Sequence, residues 1–300
     1  MFRILTIFLL LCVGVLTACQ QDAPTKPLVV STIKPVQALV YAVAGGKDSP
    51  LEVKQLLPDG ASPHHYALKP SDMRLLENAK VVFRIGSGLE TFLDKPLSNL
   101  SAQQRVMTLA EATGIQHLHA RAAQNHADAH SEDLHLWLNP ENAIVMSRAI
   151  ATALGEADPT HKADYLANAE QLIQNISATD AQIRQQLAPL SGKPYLSFHD
   201  AWQHFDTHYG LNFAGAVTLD VSRLPGARHV KDIRHIIEEK QATCLFREPQ
   251  FSPAMVKTLV EGSNIHLGEL DPLGMSLPLD KNTYTTLLQN AADSFQHCLQ

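Results

Sequence analysis

Charge is scarce in this chain. Of its 300 residues only 18% are charged, and the 24 lysines and arginines are outnumbered by 30 aspartates and glutamates. A surface with that balance is a poor binder of nucleic acid and has no electrostatic reason to lie on anionic lipid. The charges that exist are spread along the chain, and no segment looks like a long disordered tail. Long apolar runs are missing too: the one candidate, residues 4–16, is too short to cross a bilayer comfortably. Cysteine is limited to Cys12, Cys19, Cys244 and Cys298.

That short apolar run has a reading of its own. Arg3 precedes it, and Leu16-Thr17-Ala18-Cys19 closes it as a lipobox would. Residues 1–18 therefore read as a lipoprotein signal peptide whose removal leaves Cys19 acylated. An ordinary signal peptide with a chance cysteine is the alternative. Several acyl chains on Cys19 would hold the protein stably on a lipid bilayer, with the polar, proline-containing residues 19–27 as a tether. The mature chain would then be extracytoplasmic, either periplasmic or on the cell surface. Loss of Arg3 takes the formal charge from −6 to −7. With Cys12 removed and Cys19 lipidated, Cys244 and Cys298 read as a disulfide, two separate buried thiols being the alternative. A loop closed over their separation would be worth about 4 kcal/mol in the chain-entropy model.

Short β-rich runs alternate with helical patterns. Residues 28–32, 53–57, 81–85 and 105–109 read as strands, with helices over 36–44 and 71–78. The second half repeats the rhythm, with strands 195–198, 213–217, 243–246 and 265–269 and helices 201–208, 227–240, 253–261 and 283–298. Strand–helix–strand order predicts parallel sheets. Between the halves Leu166, Ala169, Leu172, Ile173, Ile176, Ile183 and Leu187 recur at three- and four-residue steps. One helix of about 28 residues, roughly 42 Å long, is expected from Pro159 in its first turn to a stop at Ala188-Pro189. The expected organisation is an N-terminal α/β lobe (28–158), a linking helix (159–188) and a C-terminal α/β lobe (189–300). A helix is stiffer than a loop hinge, so closure on a ligand should be small. Residues 113–133 break the pattern as a long polar loop containing His117, His119, His126 and His130.

Four chemically able residues share one setting. His64 follows the second strand through Gly60-Ala61-Ser62-Pro63, and His135 precedes the Asn139-Pro140 helix start. His199 follows the 195–198 strand directly, and Asp271 follows 265–269. Ligands of open α/β sheets bind just past the carboxyl ends of strands, so two facing lobes could bring these four together. Three imidazoles and a carboxylate suit Zn²⁺. No short motif links them, and each histidine alone would read as an ordinary surface or core residue. Glu248 reads as an acceptor that orients a metal-bound histidine, and Asp200 as a helix N-cap. His204 and His208 lack the glutamate that a metalloprotease helix needs between them, since Phe205 follows His204.

The chain resembles the ZnuA-like metal receptors of ABC importers, the cluster A-I solute-binding proteins. The resemblance is carried by Leu57-Pro58-Asp59-Gly60-Ala61-Ser62-Pro63-His64, His135-Leu136-Trp137-Leu138-Asn139-Pro140 and Phe198-His199-Asp200-Ala201. Phe246-Arg247-Glu248-Pro249-Gln250-Phe251 and Leu270-Asp271-Pro272-Leu273-Gly274 extend it to the carboxy-terminal half. It implies two Rossmann-like lobes with parallel sheets, joined by one long rigid helix, with the metal site in the cleft between them. The family's ligands fall on His64, His135 and His199, and Asp271 falls where the family has a carboxylate that ligates or lies close by. Manganese-type relatives place a glutamate where His199 stands, so histidine favours zinc. His65 stands where an acidic residue is common and is a spare ligand or proton acceptor. His117, His119, His126 and His130 would form a collecting site, with a solvated loop as the alternative.

The implied function is that of a monomeric, non-catalytic receptor carrying Zn²⁺ to an ABC permease. A manganese receptor, a metal-binding surface adhesin and a zinc hydrolase are the rivals. The last would need an open coordination position and Glu248 as general base.

Overall fold

Among the described residues eight short strands build two sheets, and every pairing between these strands is parallel. The computed structural model describes residues 26–101, 103–121, 131–218, 227–249, 256 and 260–300. The expected signal peptide, Cys19, nearly all of the tether, His126, His130 and most of the expected helix 253–261 lie outside the described residues.

The first sheet orders β1 (Leu28–Ser31), β2 (Glu52–Gln55), β3 (Val81–Arg84) and β4 (Arg105–Thr108) as β2-β1-β3-β4. The second orders β5 (Pro194–His199), β6 (Asn212–Thr218), β7 (Cys244–Arg247) and β8 (His266–Glu269) as β6-β5-β7-β8. The two halves thus repeat one permutation. In each, the order reverses beside the first strand, which opens a crevice at the carboxyl ends of β1 and β3 and of β5 and β7. Val29, Val30, Val81, Val82 and Phe83 are fully buried, as strands covered on both faces require.

The described helices are α1 (Lys34–Val43), α2 (Pro70–Asn78), α3 (Asp94–Ser98), α4 (Pro140–Ala157), α5 (Lys162–Leu187), α6 (Gln203–Tyr209), α7 (Ala227–Glu239) and α8 (Thr283–Leu299). Asn139 caps α4 by accepting from the Glu141 N–H at 2.9 Å, with Pro140 in the first turn. Only the start of this helix is expected from the Asn139-Pro140 pair, and it runs for 18 residues. The long helix α5 has 26 residues and follows a single 3₁₀ turn at Pro159–His161. Its buried stripe holds Tyr165 in place of the expected Leu166, which is 44% exposed. No described helix is long and apolar enough to cross a membrane.

One continuous apolar core contains residues of both halves, among them Val29, Trp137, Ile176, Trp202 and Phe295. The indole N–H of Trp137 donates to the Pro272 carbonyl (2.7 Å), and the Tyr284 hydroxyl donates to the Trp137 carbonyl (2.7 Å). A shared core and buried cross-bonds of this kind resist large hinge motion, because separating the halves would expose apolar surface and orphan polar groups. Cys244 and Cys298 form a disulfide that ties β7 to α8 across 54 residues.

Candidate metal centre

His199 is the last residue of β5, held at the crevice where the second sheet reverses its order. His135 sits at the N-cap of the 3₁₀ turn Leu136–Leu138, whose three side chains are fully buried and fix its position. His64 lies on the loop after β2, its N–H donating to the Ser62 hydroxyl at 3.3 Å.

These three rings meet. Their centroids are 5.3 Å (His64–His135), 5.3 Å (His64–His199) and 5.1 Å (His135–His199) apart. One ring nitrogen from each lies within 4.8 Å of the others, close enough to share one ion. His135 and His199 are buried, and His64 is half-buried.

Each buried imidazole is steered by a carboxylate. The Oδ1 of Asp133 accepts from His135 Nδ1 at 2.7 Å and from the His135 N–H at 3.0 Å. Glu248 Oε1 lies 3.1 Å from His199 Nδ1. With Nδ1 engaged in both rings, Nε2 is the nitrogen left to face an ion, as carboxylate–histidine–metal arrangements have it. The Nε2 of His64 is buried without a hydrogen-bond partner. A buried, unsatisfied acceptor is costly, and a cation shared by three imidazoles would satisfy it.

The electrostatics follow from this packing. Burial, and then repulsion from His135, His199 and His65, lowers the His64 pKa to about 2, so this ring stays neutral and able to ligate. Burial would lower His199 too, but the Glu248 charge and hydrogen bond outweigh it and hold His199 above its usual value. Burial is also the largest influence on Asp133, yet the His135 charge and hydrogen bonds overcome it and lower that carboxyl.

Asp271 stands outside the three-histidine group. Its Oδ1 accepts from the N–H groups of Leu273 (3.0 Å) and Gly274 (2.9 Å), and its Oδ2 from Met275 (2.6 Å). The turn after β8 therefore uses the carboxylate expected as fourth ligand. Burial first, and then the charge of Glu248, raises the Asp271 carboxyl, so the two acids stand close enough to repel. His65 packs 6.4 Å from His64, centroid to centroid, and is not in the group either.

Asp200 is not a helix cap, because α6 starts at Gln203 with Trp202 at its N-cap. Its Oδ1 instead accepts from Arg121 at 2.8 Å. His204 Nε2 donates to the Asp133 carbonyl (2.9 Å), and His208 pairs with Asp180 (2.7 Å). In the loop, His117 Nδ1 lies 2.9 Å from Glu132 Oε2, and His119 forms an isolated antiparallel bridge with Glu132.

Asp133 went unremarked in the sequence, although the spacing Asp133-Leu134-His135 was there to suggest a carboxylate two residues before a ligand. For Glu248→Gln we expect metal affinity to fall by roughly 10- to 100-fold, since the ring would lose its charged orienting acceptor. Isothermal titration of the variant beside wild type measures it; an unchanged affinity would remove Glu248 from the site.

Residues 29–298 match the family model described as zinc-uptake complex component A, periplasmic. The chain is 36% identical to the high-affinity zinc uptake system protein ZnuA of Brucella abortus, over 90% of this chain and 91% of that one. It is 34% identical to the protein of the same name from Yersinia pestis, over 91% of each. A solved structure described as ZnuA superposes with a TM-score of 0.79, covering 92% of this chain and 100% of that chain at 24% identity.

Proposed function

Since this chain belongs to the ZnuA family of periplasmic zinc-uptake components, we propose that it is an extracytoplasmic zinc receptor serving an ABC-type importer. The observation that carries this reading is the convergence of His64, His135 and His199, with the Nε2 of His64 buried and unpartnered. Zn²⁺ is the cargo. Three imidazole nitrogens are the borderline donors it prefers, and the carboxylates Asp133, Glu248 and Asp271 around them make the cleft attractive to a cation. An enzyme would need a free general base beside the ion, and the candidate, Glu248, is engaged with His199.

Delivery requires a permease able to dock on the protein and take the ion. Anchoring through an acylated Cys19 rests on the Leu16–Cys19 lipobox. His117 and His119, on the stem of the histidine loop, support a weaker collecting role for that segment.

Metal analysis of the purified protein, followed by competitive titration of Zn²⁺ against Mn²⁺, tests the reading. One tightly held zinc per chain is expected. A preference for Mn²⁺ would overturn the ion, and absence of tight binding by either would overturn the receptor assignment.

A further inference from the structure

Lys34 is an oddly placed cation. It is the first residue of α1, where the helix dipole disfavours positive charge, and it is only 7% exposed. Buried ammonium groups persist only when their donors are matched. Here all three are: Nζ donates to Asp59 Oδ2 (2.8 Å), to the Met275 carbonyl (2.8 Å) and to the Leu277 carbonyl (3.1 Å).

Those partners come from opposite halves of the molecule. Asp59 belongs to the loop that carries His64, and Gln55 Nε2 donates to its other oxygen at 3.1 Å. Met275 and Leu277 follow the turn organised by Asp271, and the Met275 N–H is itself held by Asp271 Oδ2. The two segments also touch: at Gly60, whose φ is +83°, an added Cβ would stand 2.8 Å from the Met275 methyl group. A cavity of about 10 Å³ lies along this seam, lined by Lys34, Asp59, Gly60, Leu273 and Met275 among others.

We propose that Lys34 is a positioning residue for metal retention, a clasp that holds the His64 loop against the opposite half and so sets how fast zinc leaves. His64 is the one cluster histidine carried on an irregular loop; His135 and His199 are fixed by a buried turn and a central strand. Its position therefore depends most on such a tie. Opening the site on this side means drawing one ammonium off two carbonyls. This rests on the zinc-receptor reading and adds the element that governs release.

The test compares Zn²⁺ dissociation by chelator chase from wild type, Lys34→Met and Asp59→Asn. Lys34→Met keeps length and loses the charge. Asp59 is half-exposed, so its variant carries the test should Lys34→Met fail to fold. Both should release zinc faster, by roughly 2- to 30-fold for Lys34→Met and less for Asp59→Asn, with association rates unchanged. Lys193→Met is the control, because its ammonium bonds carbonyls of Leu299 and Gln300 away from the cleft. Dissociation at the wild-type rate in Lys34→Met and Asp59→Asn, or equal acceleration in Lys193→Met, would overturn the clasp. Failure of wild type to bind zinc would instead overturn the receptor reading, and the clasp with it.

Discussion

His199→Ala should weaken Zn²⁺ binding by more than the ~100-fold that loss of an orienting partner costs at such sites. The variant removes one of three converging donors and leaves Glu248, which is 5% exposed, without the imidazole it faces. His199→Gln, which keeps a polar side chain of similar reach, should fail almost as badly, because an amide is a poor ligand for zinc. Competition against a zinc chelator gives the affinity, and thermal melts of the metal-free proteins separate lost ligation from lost folding. His199→Glu has a different expected outcome. A carboxylate is the harder donor, so zinc-over-manganese preference should narrow. If His199→Ala bound zinc as wild type does, the site would lie elsewhere.

The same residue governs the acid limit of binding. A ligand must be deprotonated, so protons compete with the metal. His64, held near pKa 2, takes no proton in the ordinary range. His199 is raised by Glu248 despite its burial, so it takes a proton before His64 does as pH falls. As pH is lowered, wild-type affinity should therefore start to fall before pH 6.5, the unperturbed histidine value, is reached.

What could be read from the sequence and what could not divide along a physical line. Alternation of strands with helices announced two parallel sheets, because local periodicity encodes which faces are covered. His64, His135 and His199 were legible only jointly, from their shared setting near strand ends and a helix start and from the family motifs that carry them. Asp271 is different, because nothing local says that three backbone N–H groups will bond its oxygens. Leu166 and Tyr165 both fit a helical stripe, and only the packing of α5 against its neighbours decides between them. Lys34, Arg121 and Asp200 acquire their roles from partners 25 to 243 residues away, distances no sequence window spans.

Arg121→Met should cost about 3–5 kcal/mol near neutral pH, the usual penalty for stranding buried charges by removing their partner. Arg121 donates to Asp200 Oδ1 (2.8 Å) and Asp206 Oδ1 (2.6 Å), and its guanidinium lies 3.8 Å from the Phe213 ring centroid. Asp206 is 2% exposed, and its other oxygen accepts from the Tyr195 hydroxyl at 2.7 Å. Even with Arg121 present, burial raises Asp206 from 3.8 to about 6, and burial raises Asp200 as well. The sign follows from linkage: the folded state holds a proton that the unfolded chain has already released. Stability from Asp206 is thus full below pH 3.8 and is lost as pH rises through about 6. Without Arg121 the folded pKa climbs further, so the variant loses more over the rise to neutrality. The stability gap between variant and wild type should therefore shrink as pH falls from about 7.5 to about 5. Urea denaturation of both proteins at the two pH values measures it. A gap that stays constant would mean that Arg121 acts by packing on Phe213 rather than by charge.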